Sequence, residues 1–383
     1  MAPATVPPGL TLANAILVLP DAVRPGTLTV ADGRIAAIGD EPHPPGAAHL
    51  DLDGDYLLPG LIDLHTDNLE RQVQPRSNAR WPSRSALLAH DAHCAAAGIT
   101  TVFDALCLGD LGFEPDRHQT FLDGIADLDA LAPTGLLRAE HFLHLRCEMP
   151  APGMPALLDG VADHPRLRLA SLMDHTPGIG QYGDVAHWRA LRRRDGLTEA
   201  QIDAQIAGLL GQRARHRDAN RAAVLARLGG RVPLASHDDA TEDEVAAGAA
   251  DGLAVCEFPV TEAAARAART HGMAVIAGAP NIVRGGSHAG NVAAASLVRA
   301  GLVDALASDY VPAALIEATF ACAGLGIGLA ASVRLVTDAP ARIAGLGDRG
   351  RLAPGLRADL VRVRVHDGLP VVRGVWRAGE RIA

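Results

Sequence analysis

At 383 residues the chain exceeds one ordinary domain, yet it fits a single α/β barrel with something small attached. Hydrophobic residues make up 48 % and charged residues 21 %, which supplies a large core and excludes wholesale disorder. The net charge of −9, without a basic stripe, excludes nucleic-acid binding as the main activity but leaves room for a local cleft that binds a small anion.

All 35 basic residues are arginine, so no chemical step can use a lysine. The five cysteines are odd in number and none stands in a C-x-x-C spacing. A disulfide framework and a cysteine zinc site are therefore not expected, and a reducing compartment is. No apolar run reaches the ~18 residues of a membrane helix. The first arginine is Arg24, so no basic region precedes the first apolar run. A soluble, cytoplasmic protein with no membrane partner is expected, assembled as a homo-oligomer.

The first stretch reads as β: "LTLANAILVL" and "GTLTVADGRIAAIG" are short runs broken by Pro and Gly, with "ADGR" as a turn. From about Pro59 the texture changes to short apolar runs alternating with alanine-rich helical stretches, which signals βαβ units and a parallel sheet. Eight strands are predicted: "GLIDLH", "ITTVFDA", "LRAEHFLHLRCE", "LRLASLMDH", "VPLASHD", "LAVCEFP", "MAVIAGAP" and "VDALASD". Eight is the barrel number, and a further short strand between Leu106 and Leu137 stays open. Thr198 with Gln201 forms a capping box that opens a helix to about Leu228, and Thr241 with Glu244 forms another. The last residues, "ADLVRVRV" and "LPVVRGVWRAGERI", return to β. The predicted division is 1–57 and 345–383 as two parts of one small β-sandwich domain, with a (β/α)8 barrel over 58–344.

Polar residues recur at the ends of the predicted strands. His65, Asp67 and Asn68 follow the first; then come Glu148, Asp174 with His175, His237 with Asp238 and Asp239, and Asp309. In a barrel these ends share one mouth. Imidazole and carboxylate there suit Zn²⁺ or a similar divalent ion, and a bridge between two ions would have to be a carboxylate. Asp238 and Asp239 read as helix N-caps, since a helix starts at Thr241.

"LLPGLIDLHTDN" resembles the first metal motif of the amidohydrolase superfamily, with His65-x-Asp67 where His-x-His is usual. The longer segments "HTDNLE", "PRSNARWP", "HDAHCAAAGITTVFDAL", "MDHTPGIGQY", "SHDDAT", "GAPNIVRGGSHAGN" and "LASDYVP" are similar to one branch, the α-D-ribose 1-methylphosphonate 5-triphosphate diphosphatase family of the carbon–phosphorus lyase pathway. The resemblance spans about Pro59 to Pro312, with further likeness near the C-terminus. It implies a barrel hydrolase that converts an anionic ribose 5-triphosphate to the 5-phosphate and pyrophosphate. It implies His65, Asp67, His175, His237 and Asp309 as metal ligands, Glu148 as the bridge between two ions, and Asp309 as the general base. Zinc is the expected ion, with Mn²⁺ or Fe²⁺ tolerated because Asp67 is a harder ligand.

The reaction needs positive charge against a polyphosphate. In "NIVRGGSHAGN", Arg284 offers a bidentate fork, the two glycines allow close backbone approach, and Ser287, His288 and Asn291 add donors. Asn68, Arg76 and Arg80 complete the expected substrate contacts. An amide or cyclic-amide hydrolase on the same scaffold is the alternative chemistry, and a non-catalytic scaffold is the alternative class; arginine abundance favours the polyphosphate.

Overall fold

The computed structural model describes residues 9–39, 48–76, 79–112, 117–287 and 290–383. The N-terminal β runs form β1 (Leu10–Val18), β2 (Val23–Ala31), β3 (Arg34–Gly39), β4 (Ala48–Asp51) and β5 (Tyr56–Pro59). β2 and β3 meet antiparallel with Ala31 opposite Arg34. The two residues between them, Asp32 and Gly33, both have positive φ (51° and 72°), as a tight hairpin turn requires.

The middle of the chain carries eight parallel strands: β6 (Leu61–Thr66), β7 (Ile99–Leu108), β8 (Glu140–Glu148), β9 (Leu167–Met173), β10 (Leu234–His237), β11 (Val255–Glu257), β12 (Ala274–Gly278) and β13 (Ala305–Ala307). They pair in sequence order, and each contains or overlaps one of the eight predicted runs. β7 is buried at every position, because helices cover the outside while the barrel interior fills the other face. That interior includes Ile62, Leu64, Phe103, Phe142, Leu169, Val255 and Ile276. A helix, Arg117–Leu131, follows β7, and no further strand lies between Leu106 and Leu137 among the described residues. Both predicted capping boxes are present, and the first opens a helix Glu199–Leu228. No helix among the described residues is long and apolar enough to cross a membrane.

The chain end returns as β14 (Leu360–His366), β15 (Leu369–Arg377) and β16 (Glu380–Arg381). β14 pairs with β5, so both ends of the chain build one sheet, ordered β16-β15-β14-β5-β1-β2-β3 with β4 on β1. β5 carries that sheet as far as Pro59, and Gly60 turns directly into the barrel. A Cβ at Gly60 would overlap Thr100 and Asp359, so only glycine fits the crossing. The sheet is tied to the barrel by Arg349 and Arg357, which both donate to Glu140 at the start of β8. Arg349 also donates to Thr101 at 3.0 Å, and Arg357 pairs with Asp359.

A buried polar network braces the outside of β7 and β8. His141 stands between Asp104 (Nδ1 to Oδ2, 2.8 Å) and Asp91 (Nε2 to Oδ1, 3.1 Å). His90 Nε2 meets the other Asp104 oxygen at 2.8 Å. Burial works against a charged His141, but Asp104 and Asp91 outweigh it and push the imidazole up to about 9. For Asp104 burial acts upward, and His141 and His90 reverse it, holding the carboxyl well below its usual range. The stabilisation from His141 is therefore full below its ordinary value of 6.5 and fades as pH rises to about 9. That from Asp104 is present above the usual carboxylate range and is lost as pH falls. The melting temperature is expected to fall between about pH 6.5 and 9 in the native chain and to flatten over that window in His141→Gln. Calorimetric scans at fixed ionic strength check this, and parallel profiles for the two proteins would refute it.

Candidate metal centre and anion cavity

The barrel closes where β6 meets the segment after β13, and backbone hydrogen bonds bring the first and last predicted ligands together there. Asp309 N donates to His65 O at 2.9 Å and Asp67 N donates to Asp309 O at 3.0 Å. The Thr66 hydroxyl also donates to Asp309 O at 3.0 Å. Ligand atoms of His65, Asp67 and Asp309 consequently lie within 4.8 Å of one another, and those of His175, His237 and Asp238 form a second such group. The groups adjoin: the His237 ring is 5.8 Å from that of His65 and 6.0 Å from that of His175. Asp238, Phe258 and Asp309, each just past a strand end, hold positive φ of 60°, 53° and 56°. Such conformations are costly for non-glycine residues and persist where the surroundings enforce them.

Each histidine has a carboxylate against its Nδ1. His65 Nδ1 lies 2.9 Å from Glu257 Oε1, and His175 Nδ1 lies 2.6 Å from Glu148 Oε2. Asp238 Oδ2 lies 2.9 Å from His237 Nδ1, close enough for ion pairing but not aligned as a hydrogen bond, because neither His237 ring nitrogen has a hydrogen-bond partner. Carboxylates so placed orient an imidazole and raise its basicity toward a cation at Nε2. Burial pushes His65 down, toward the neutral form a cation needs, against the pull of Glu257. For Glu257 burial acts upward and is outweighed by His65 and His144, which hold the carboxylate well below its ordinary range. Glu257 also accepts from Ser171 Oγ at 2.6 Å, so its orientation is fixed. Burial, then the charge of Asp67, pushes the Asp309 carboxyl far up.

The residues present fit a divalent cation. Buried polar atoms without partners cost roughly 1–3 kcal/mol each, and here they include Nδ1 and Nε2 of His237 and Oδ1 of Asp67. Both residues belong to the two ligand groups, so a cation could complete one His237 nitrogen and the Asp67 oxygen.

A cavity of about 470 Å³ opens over these groups. Of the expected metal residues, His65, Asp67, His175, His237 and Asp309 line it. Glu148 sits behind His175 with both oxygens engaged there, one by the ring and one by His175 N at 3.0 Å; as placed, it orients His175, and bridging would require giving up that contact. Arg284, Ser287 and Asn291 line the cavity as expected. Asn68, Arg76 and Arg80 do not. Asn68 is buried with its amide 2.9 Å from His90 Nδ1, Arg76 is exposed, and Arg80 is held by Thr120 and Asp123. The helix after β6 turns the Asn68 side chain away from the mouth, which strand position alone does not reveal. His288 lies outside the described residues.

Sequence reasoning missed five residues. Asp238 was expected as a helix cap, yet Thr241 caps that helix and Asp238 faces the cavity. Glu257 ends a predicted strand, the same signal that singled out the others. Arg117, Arg146 and Arg192 line the cavity with Arg284. Arg146 was legible by alternation, two residues before Glu148.

No family model matches the chain. The alpha-D-ribose 1-methylphosphonate 5-triphosphate diphosphatase of Escherichia coli (strain K12) is 42 % identical over 374 residues, covering 96 % of this chain and 99 % of that protein. The chain belongs to this diphosphatase family. Imidazolonepropionase of Cereibacter sphaeroides is more distant, at 26 % over 382 residues. Among solved structures, N-isopropylammelide isopropylaminohydrolase from Burkholderia multivorans matches with a TM-score of 0.64, 20 % identity and 98 % coverage of both chains. N-acetyl-D-glucosamine-6-phosphate deacetylase from Mycobacterium smegmatis matches with a TM-score of 0.64, 18 % identity and 98 % and 99 % coverage. At these identities the two structures share the fold with this chain.

Replacing Glu257 by Gln removes the charge behind His65 while keeping its shape. Divalent-ion affinity is expected to fall about 10–100-fold with the fold retained. Equilibrium dialysis with Zn²⁺ measures it, and unchanged affinity would show that Glu257 does not tune the centre.

Proposed function

We propose that the chain hydrolyses α-D-ribose 1-methylphosphonate 5-triphosphate to the 5-phosphate and pyrophosphate. The observation that carries this reading is the junction of two His/Asp ligand groups with a cavity lined, among the described residues, by four arginines. Planar guanidinium forks beside a metal centre match the charged oxygens of a triphosphate, whereas a neutral cyclic amide brings no anionic oxygens for them to hold.

Two ions are proposed, one held by His65, Asp67 and Asp309 and the other by His175, His237 and Asp238, with zinc first and Mn²⁺ or Fe²⁺ compatible with the carboxylates. When bound, such ions lower the pKa of water and offset phosphoryl charge. Asp309 takes the proton of the attacking water as general base and hands it to the leaving pyrophosphate. Arg284 rests against Tyr310 Oη at 3.4 Å and, with Ser287 and Asn291, holds the phosphate chain. Tyr182 and Tyr310 line the cavity and are the aromatic groups within reach of the sugar. The five cysteines, all free and buried, suit the reducing cytoplasm.

Phosphorus NMR of the reaction decides the activity: one equivalent each of pyrophosphate and ribose 5-phosphate product should accumulate, and absence of pyrophosphate would sink the reading. Asp309→Asn should keep metal and fold but lower kcat by about 10²–10⁴-fold; near-normal turnover would remove Asp309 from the base role. Arg284→Ala should raise KM roughly tenfold with a smaller effect on kcat, and an unchanged KM would place the phosphate chain elsewhere.

A further inference from the structure

Arg146, one of the four arginines of the cavity, has no individual role in the account so far. It lies on β8 between His144 and Glu148. Phe142, on the same alternation, belongs to the apolar barrel interior, and His144 approaches Glu257 within it. Alternation therefore brings the Arg146 side chain up the inside of the barrel to the mouth. There it lines the cavity while remaining only 7 % exposed.

Its partners are few. Arg146 Nη1 lies 3.3 Å from Asp67 Oδ2, a long ion pair, and its Nε is buried with no hydrogen-bond partner. A guanidinium carries five donors in a fixed fork and stays protonated. Holding it buried on one long contact is unfavourable unless something else completes the fork. Its surroundings say what that is. Its Nη1 meets Asp67 of one ligand group, and it lines the same cavity as His65, His237, Asp238 and Asp309. Arg117, a second cation on the same cavity wall, is near enough to oppose its charge. Two guanidinium groups facing one cavity beside carboxylates form a pocket for an oxyanion with several negative oxygens.

We infer that Arg146 is a catalytic residue that grips the non-bridging oxygens of the attacked phosphoryl group. This rests on the triphosphate reading above. In the step, the water oxygen bonds to the α-phosphorus and the bond from that phosphorus to the bridging oxygen breaks. Pyrophosphate leaves with the electron pair, and the water proton passes to Asp309 and on to the leaving group. Arg146 exchanges no proton; its fork tightens as charge spreads over the equatorial oxygens. Asp67 accepts from Arg146 through Oδ2 and leaves Oδ1 without a partner, so this carboxylate could serve a cation and the guanidinium together.

The test uses full-length Arg146→Gln, Arg146→Ala and Arg146→Lys, each checked for fold by circular dichroism and for bound metal. With the ribose triphosphate, Arg146→Gln should lose about 10²–10³-fold in kcat with KM within about threefold, at native metal content. Guanidinium ion at tens of millimolar should restore at least about tenfold to Arg146→Ala and nothing to the native chain. If the two neutral variants do not fold, Arg146→Lys decides, because it keeps the charge without the fork and should still lose at least about tenfold. A kcat within about threefold of native, or a loss of activity matched by a loss of metal, overturns the inference; the second outcome would make Arg146 only a holder of Asp67. If the native chain does not cleave the triphosphate, the functional reading falls and pyrophosphate affinity by calorimetry decides. About tenfold weaker binding in Arg146→Gln then upholds an oxyanion grip, and equal affinity refutes it.

Discussion

The site depends on how the barrel closes. β6 and the segment after β13 are 243 residues apart at Thr66 and Asp309, yet their backbones exchange hydrogen bonds on both sides of Asp309. Backbone groups buried in a barrel wall must be paired, so the closure has one favourable register. That register sets Asp67 beside Asp309. Two half-buried carboxylates this close repel each other, and the repulsion adds to the upward push on Asp309. A cation relieves it, and Arg146 relieves it in part.

A second layer keeps the ligands ready. Glu257 behind His65 and Glu148 behind His175 are themselves buried and held. Removing a carboxylate from water is costly, and both are offset by the imidazoles they face. The rings are thereby locked in tautomer and direction before any ion or substrate arrives. Phe258 adds packing, its ring 4.9 Å from that of His65 and 5.4 Å from that of His237. Rigid support of this kind limits the reorganisation left to the reaction itself.

Electrostatically the mouth is a mixed field. Asp67, Asp238 and Asp309 gather on the floor, and Arg117, Arg146, Arg192 and Arg284 stand on the walls. A net charge of −9 over the whole chain says nothing of this local excess of cations. The arginines come from unrelated places: the helix Arg117–Leu131, the strand β8, the helix Val185–Arg194 and the end of the helix Ala279–Val283. Because lysine is absent from the chain, every cation on these walls is a planar fork suited to phosphate.

The residue pattern alone determined the eight strands, the small sheet shared by both chain ends, and His65, Asp67, His175, His237 and Asp309 at the strand ends. These are periodic and local signals: apolar runs of strand length, Gly and Pro between them, and a polar residue where each run stops. Tertiary structure decided which way those residues face and what stands behind them. Asn68 follows Asp67 immediately, but the helix it begins turns its amide to His90. Asp238 precedes a helix that Thr241 caps, and only the folded chain turns it into the cavity beside His175 and His237. Glu257 and Arg146 stand at legible strand positions, but the partners they meet, His65 and Asp67, come from a strand far away in the chain. Side-chain direction at a strand end is set by the loop geometry and by neighbours hundreds of residues away, and a single strand carries no record of them.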